Sequence, residues 1–157
     1  MYEQYNLVWT SPSKDHNGSM PIGNGETGLN IWAQPSGEIN AYISRTDSWD
    51  ENERLCKIGG IKIDYFPEID TSVGKYTQTL NLEKGRIDFR YDVREKSYFL
   101  SVWVDANHQC INFEFKSSEK ATATIVHKNW RDKKRLLHKD EYFFLNDTKG
   151  EYYCWPD

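Results

Sequence analysis

Short segments in which apolar and polar residues alternate recur along this chain, and they constrain its fold more than any other feature. In residues 61–66 every second side chain is apolar, beginning with Ile61, and residues 86–91 and 110–115 repeat the pattern. In an extended chain, a period of two sends alternate side chains to opposite faces. We therefore predict half-buried β-strands at these three places.

Further strand candidates share an excess of β-branched and aromatic residues. They are residues 6–9, 27–33, 38–43, 76–82, 97–104, 121–127, 142–145 and 151–155. Turn sequences separate them, and Gly85 suits a hairpin between residues 82 and 87 because glycine accepts positive φ. Only residues 50–56 and 131–139 have room for a helical turn or two. The pattern predicts an all-β fold, an antiparallel sandwich or barrel with very little helix.

Size and charge narrow the class of protein. A chain of 157 residues suits one domain, residues 1–157, and its 6 Trp, 10 Tyr and 7 Phe supply large side chains for burial. The net charge of -4 gives a polyanion no bulk attraction, so nucleic acid is excluded as an expected partner. No apolar run is long enough for membrane insertion, and residues 1–10 lack the pattern of a signal peptide.

Metal, cofactor and nucleophile motifs find no support in the sequence. Cys56, Cys110 and Cys154 form no closely spaced pair, so we expect small buried thiols and no metal site. No histidine lies in an HExxH motif and no serine in a GxSxG elbow. We expect no cofactor.

The densest polar cluster is the glycine-rich stretch of residues 20–28. Its three central glycines surround Asn24 and Glu26, so the backbone can turn sharply and present polar tips on a tight loop. No Lys-Ser/Thr pair follows, and the stretch leads into a strand rather than a helix, so it is no phosphate-binding loop. A simple tight turn before a strand is the competing interpretation.

A second cluster, residues 42–51, places polar groups around Trp49 at the end of a strand. An indole face can cover the apolar side of a pyranose while a carboxylate such as Asp47 binds hydroxyl groups. A tryptophan packed under the sandwich edge and a solvated acidic loop are the alternatives. A hydrolytic acid/base pair would need two carboxyl groups roughly 5–10 Å apart across a sugar.

These clusters together resemble the start of glycoside hydrolase family 95, the relatives of alpha-L-fucosidases and galactosidases. Residues 21–28 resemble that family's opening Pro-hydrophobic-Gly-Asn-Gly-x-x-Gly motif, and residues 76–85 are similar to its Tyr-x-x-x-Leu-x-Leu-x-x-Gly hairpin. Where the family has Asn-Glu-Asp-Thr-hydrophobic-Trp, residues 44–49 keep only Trp49 and the register. The chain therefore lies outside the characterised fucosidases.

Residues 9–15 and 43–49 look closer to the domain-of-unknown-function family 5703. The resemblance implies a β-supersandwich similar to galactose mutarotase, which in complete proteins precedes an (α/α)6 catalytic toroid. The catalytic residues of the family lie in that toroid, and none maps onto this chain. The resemblance also implies that the chain is the N-terminal part of a longer carbohydrate-active protein, in the periplasm or outside the cell.

Three functions remain open on the sequence. The first is a non-catalytic accessory domain that packs against a catalytic helical barrel and contributes to carbohydrate binding through Asn24, Glu26, Asp47 and Trp49. The second is a free-standing glycan-binding module. The third is a structural or oligomerising sandwich whose aromatic excess covers an interface.

Overall fold

The computed structural model describes residues 2–50, 54–138, 141 and 150–156. Within this part of the chain, ten strands form two five-stranded antiparallel sheets that pack against each other, so the predicted β-sandwich is confirmed. In spatial order, the first sheet contains β1 (Leu7–Trp9), β6 (Gly74–Asn81), β7 (Arg86–Val93), β8 (Lys96–Val104) and β9 (Ile111–Ser117). The second sheet contains β10 (Thr122–Lys128), β5 (Leu55–Phe66), β4 (Ile39–Trp49), β3 (Thr27–Ala33) and β2 (Met20–Gly23). Two short strands, β11 (Arg135–Leu136) and β12 (Tyr153–Cys154), pair separately.

Helical structure in the described residues consists of single 3-10 turns at Glu3–Tyr5, His16–Gly18 and Thr71–Val73, and Glu141 is also in a 3-10 conformation. The helical turns expected in residues 50–56 and 131–139 are not found among the residues described there, since β5 begins at Leu55 and Arg135–Leu136 is a strand. Antiparallel pairing of Trp49 with Leu55 continues the hairpin of β4 and β5 instead. None of the helical turns in the described ranges is long and apolar enough to cross a membrane.

The predicted strands that fall in the described residues agree with the structure, with two omissions, the two-residue β11 and β2. The hairpin at Gly85 joins β6 to β7, and the φ of Gly85 is +58° as the turn requires. The omitted β2 contains Pro21 and Gly23, both unfavourable in strands. Proline is tolerated there because β2 lies at the edge of its sheet. The strand expected at residues 142–145 lies outside the described residues.

The core lies between the two sheets and follows the alternation seen in the sequence. Ile87, Phe89 and Tyr91 of β7 are almost completely buried, and they join one hydrophobic cluster with Ile31 and Ile63 of the second sheet. Removing such side chains from water stabilises a fold by roughly 1.5–3 kcal/mol each. The inward residues of both sheets therefore hold the sandwich together.

Buried polar groups also link the sheets. The Gln78 side chain donates from Nε2 to the carbonyl oxygen of Ile31 at 3.3 Å and accepts from the Tyr76 hydroxyl at 2.7 Å. The Tyr91 hydroxyl donates to the carbonyl oxygen of Gly37 at 3.3 Å. Burial raises the pKa of Tyr76 and of Tyr91, so both remain protonated donors. These bonds fix how one sheet sits over the other.

The expectation of three buried thiols is wrong in part. Cys154 is buried, Cys56 is half-buried and Cys110 is exposed. Cys110 immediately precedes β9 in the connection from β8, where the chain is exposed. All three are free thiols.

Candidate functional site

The loop between β2 and β3 is shaped by Asn24. Its Oδ1 accepts hydrogen bonds from the backbone N–H groups of Glu26 at 3.0 Å and Thr27 at 2.8 Å. Gly25, between Asn24 and Glu26, has a φ of +97°, which residues other than glycine rarely adopt. The interpretation of residues 20–28 as a tight turn before a strand is confirmed, and Asn24 is the residue that closes the turn.

Asn24 also ties the two sheets together. Its Nδ2 donates to the carbonyl oxygen of Asp105 at 2.8 Å, and Asp105 follows β8 of the first sheet. The Asp105 carboxylate is itself held by the backbone N–H of Asn107, which lowers the pKa of Asp105. The amide of Asn24 is therefore engaged by the protein's own backbone rather than presented as a free polar tip.

The second predicted cluster lies on an extension of β4 beyond the sandwich body. The register between β4 and β5 shifts twice after Ile43, and β4 then continues to Trp49. On this extension Arg45 donates to both oxygens of Asp47, from Nε at 2.8 Å and from a terminal nitrogen at 2.9 Å. The hydrogen bonds from Arg45 lower the pKa of Asp47, so this carboxyl group stays ionised at neutral pH.

Trp49 is exposed at the end of the extension. Its side chain is 60% exposed, and its indole Nε1 donates to the carbonyl oxygen of Thr46 at 3.0 Å. The alternative of a tryptophan packed under the sandwich edge is therefore wrong. Its strand partner Leu55 is 53% exposed, so this end of the β4–β5 hairpin lies outside the core.

The loop and the extension meet to form one rim of the sandwich. The backbone N–H of Thr46 donates to the carbonyl oxygen of Glu26 at 3.0 Å. The hydrogen bond to Asp47 raises the pKa of Arg45, and the negative charge of Glu26 adds to that rise. A shallow cleft of about 220 Å³ lies between them. We call residues 23–28 and 44–49 together with Leu55 the rim. Glu26 and Arg45 line the cleft, whereas Asp47 and Trp49 lie outside its lining, farther along the extension of β4.

The chemistry of the rim suits hydroxyl binding better than proton transfer. Glycoside hydrolysis needs one carboxyl group that can donate a proton. Asp47 is held ionised by Arg45, and Glu26 lies within 3.4 Å of the Gln109 amide, which can donate to it. Across the described residues, no group of three or more His, Cys, Asp or Glu side chains is placed to hold a metal ion.

The acidic residues of the second cluster differ in exposure. The Asp47 side chain is 67% exposed, as expected for a solvated acidic loop. The Asp50 side chain is only 6% exposed and is bound by Arg54 at 2.5 Å, so for this residue the expectation is wrong. Arg54 also contacts Glu141 at 3.0 Å, and Glu141 is bound by Arg135 of β11. Ion pairs thus join the end of the extension to the β11–β12 segment.

A second aromatic group lies on the outer face of the second sheet and was missed from the sequence. We call His16, Trp32, Tyr42 and Trp130 the outer cluster. The ring centroid of Tyr42 lies 5.0 Å from those of Trp32 and Trp130 and 5.6 Å from that of His16. The available signal was an aromatic residue at an outward position of each of two neighbouring strands, beside the buried residues Ile31 and Ala41.

Two stacked antiparallel sheets with a loop-built polar rim define a β-sandwich domain. The chain belongs to DUF5703_N, a domain of unknown function (DUF5703), whose family model matches residues 8–152. The resemblance to family 5703 is confirmed by this match. None of the curated proteins matches the chain. Descent from a family 95-like glycoside hydrolase stays a prediction.

Proposed function

We propose that this chain is a non-catalytic accessory domain of a carbohydrate-active protein, whose rim contributes contacts to a carbohydrate. The observation that carries the proposal is Trp49, an indole that is 60% exposed yet held in place by its hydrogen bond to Thr46. A fixed, exposed indole costs little entropy when a pyranose stacks on it. An indole that is mostly exposed contributes little to the packing of the core.

Polar groups beside Trp49 suit the hydroxyl groups of a sugar. The Arg45–Asp47 pair offers donors and acceptors in a fixed geometry, and Glu26 adds a carboxylate across the cleft. Sugar sites commonly combine an apolar surface with a few placed polar groups. The cleft of about 220 Å³ is open and small, which suits contact with one part of a longer glycan rather than enclosure of a substrate.

Hydrolysis is assigned in this proposal to a separate helical-barrel domain. Support comes from the state of Asp47, which Arg45 keeps ionised and therefore unable to donate a proton. A surface for such a domain is available beside the edge strand β1, where Leu7, Val8 and Leu82 are 44%, 51% and 49% exposed. Adjacent exposed apolar residues at a sheet edge favour a contact with another protein surface. Action on polysaccharide in the periplasm or outside the cell belongs to the same proposal.

Carbohydrate contact at the rim is tested by titrating the chain with neutral oligosaccharides while its heat of binding is recorded. We expect weak saturable binding that falls by about tenfold in Trp49→Ala, the loss of roughly 1.4 kcal/mol. Trp155→Ala removes another exposed tryptophan outside the rim and serves as the matched control. Equal binding by Trp49→Ala and the parent chain would exclude the rim.

The non-catalytic assignment is tested with aryl glycosides. We expect no turnover by the chain. Sustained turnover that disappears in Asp47→Asn or Glu26→Gln would overturn the assignment and make the rim an active site. A turnover unaffected by either variant would indicate a contaminating enzyme.

A free-standing glycan-binding module is the second candidate, and the same exposed Trp49 favours it. The two functions differ in affinity and in partner. Tight binding by the chain alone favours the module, because an accessory domain supplies only part of a site. Saturable binding of the chain to the helical domain, weakened by Leu7→Lys, favours the accessory domain.

A further inference from the structure

The outer cluster occupies a face that a β-sandwich normally leaves polar. The outward side of an antiparallel sheet in a two-layer fold usually carries hydrophilic residues that meet solvent. Here Trp32 is only 5% exposed, although it lies on that outward side, because His16 and Tyr42 pack over it. Trp130 is 43% exposed at the other end of the cluster. The face is thus an ordered aromatic surface.

The sequence makes room for this surface at Gly60. A Cβ atom added at Gly60 would lie 3.1 Å from a ring carbon of Trp130 and 3.3 Å from the carbonyl oxygen of Ala41. The missing side chain lets the Trp130 ring lie directly against the backbone of β5. Tyr42 stands at 81° to Trp130 and at 73° to Trp32, so it separates the two indoles. Trp130 is therefore held in place while much of its surface remains open.

The cluster also contains an unmet hydrogen-bond donor. The indole Nε1 of Trp32 is buried and has no hydrogen-bond partner. Buried donors without a partner are uncommon, and each costs about 1–3 kcal/mol. A ligand oxygen within hydrogen-bond distance of this Nε1 would satisfy it. This requirement favours an oxygen-rich ligand over a purely apolar one.

Positive charge lies beside the exposed rings. Lys57 Nζ is 4.5 Å from the centroid of Tyr42, and Lys57 forms no ion pair with any carboxylate of the described residues. Lys128 pairs across the strands with Gly60, beneath Trp130, and is exposed. The neighbouring carboxylate groups of Glu38 and Asp64 are both bound to Lys62. Lys128 also interacts electrostatically with Glu38, so among these cations Lys57 is the one left for an anion.

We propose that the outer cluster is a second carbohydrate-binding surface, which takes oligosaccharides containing uronic acids. A sugar ring stacks on the open surface of Trp130, and its carboxylate is bound by Lys57. The aromatic ring recognises the apolar side of the sugar, and the lysine recognises its acidic group. The surface adjoins the rim, since Lys57 pairs across the strands with Ser44, but it uses no residue of the rim, and the proposal does not depend on sugar binding there.

The experiment compares acidic and neutral ligands by isothermal titration. The probes are oligogalacturonates, oligoguluronates and cello-oligosaccharides of equal length. We expect the acidic probes to bind at least tenfold more tightly than the neutral one, with affinity that falls as salt is added. Trp130→Ala should abolish binding of the acidic probes. Lys57→Met should weaken it about tenfold and remove most of its salt dependence.

Two controls separate this surface from the rim and from general charge effects. Trp49→Ala should leave the binding of the acidic probes unchanged, and Lys84→Met removes an exposed lysine in the β6–β7 turn without effect. The thermal midpoint and the far-ultraviolet spectrum of each variant show whether it is folded. If Trp130→Ala unfolds, Trp130→Phe keeps a smaller ring and is expected to weaken binding about fivefold.

Several outcomes overturn the proposal. The uronate assignment is lost if neutral and acidic probes bind equally, or if none of the acidic probes binds. The outer cluster is excluded as the binding site if Trp130→Ala and Lys57→Met bind the acidic probes as tightly as the parent chain does. A dimer in sedimentation that Trp130→Ala dissociates would show that a second copy of the chain covers the cluster instead.

Discussion

The interior tyrosines and the peripheral tryptophans use aromatic side chains in opposite ways. Tyr76 and Tyr91 are 6% and 1% exposed, and their ring centroids lie 5.2 Å apart between the sheets. Trp49, Trp130 and Trp155 are 60%, 43% and 53% exposed. The hydroxyl group of Tyr91 bonds across the sandwich to Gly37, and that of Tyr76 bonds to Gln78 of its own strand. The exposed rings lie on the surface.

The difference shows that aromatic content is not by itself a measure of core size. Buried aromatic rings contribute to stability through the area they remove from water. Exposed indoles contribute little to folding, so a different explanation is needed for their presence. In this chain the explanation we propose is ligand contact. Four variants test the difference between the buried and the exposed side chains.

The largest effect is expected from Tyr91→Ala, measured as the free energy of unfolding in denaturant. Loss of a fully buried ring beside Tyr65 and Tyr76 should destabilise the protein by about 3–5 kcal/mol. Tyr91→Phe keeps the ring and loses only the bond to Gly37, so about 1 kcal/mol is expected. A cost below 1 kcal/mol for Tyr91→Ala would mean that the ring is not part of a packed core.

A smaller effect is expected from Asn24→Ala. The substitution leaves two backbone N–H groups of the loop and the carbonyl oxygen of Asp105 without their side-chain partner. We expect a loss of about 1–3 kcal/mol in the free energy of unfolding. Asn30→Ala, at an exposed position of β3, is the control and should cost less than about 0.5 kcal/mol. Equal effects at the two positions would contradict the assignment of Asn24 as a link between the sheets.

The ion pairs of Glu141 should make a pH-dependent contribution to the free energy of unfolding. Hydrogen bonding by Arg135 lowers the pKa of Glu141 from 4.5 to about 2. Because the pKa in the folded state is the lower one, the contribution is complete above pH 4.5 and is lost as the pH falls through about 2. Glu141→Gln should cost about 1 kcal/mol at pH 7, and the difference from the parent should shrink below pH 4.5. A difference that stays constant from pH 7 to pH 3 would contradict this origin.

The smallest effect on stability is expected from Trp49→Ala. Since the indole is mostly exposed, its removal should change the free energy of unfolding by less than about 0.5 kcal/mol. The same variant is expected to weaken carbohydrate binding at the rim by about tenfold. A loss above 1.5 kcal/mol would show that Trp49 packs on the protein and would weaken its role in binding.

Most of the fold could be predicted from local patterns. The alternation in residues 61–66 correctly places Ile61 and Ile63 inside, because side chains of a strand alternate between faces whatever lies beyond it. β2 could not be predicted, since proline and glycine weaken its local signal and its pairing with β3 decides its conformation. The length of β4 was underestimated for a similar reason. Its polar end after Ile43 is extended because β5 pairs with it.

The candidate site was predictable only as a set of residue types. The sequence singles out the glycine-rich stretch and Trp49 as candidates, but it does not show that Asn24 bonds to Asp105, which is 81 residues away. It also does not show that Arg45 holds Asp47 ionised. The outer cluster unites residues of three separate segments with Trp130, and such contacts carry no local signal.

The sequence by itself determined the class of fold, because strand alternation and glycine turns act over a few residues. The tertiary structure alone decided which polar and aromatic residues share a surface and which are held by the protein itself. The reason is physical: burial and the strength of a hydrogen bond or ion pair depend on neighbours distant in the chain, which only the packing of the two sheets brings together.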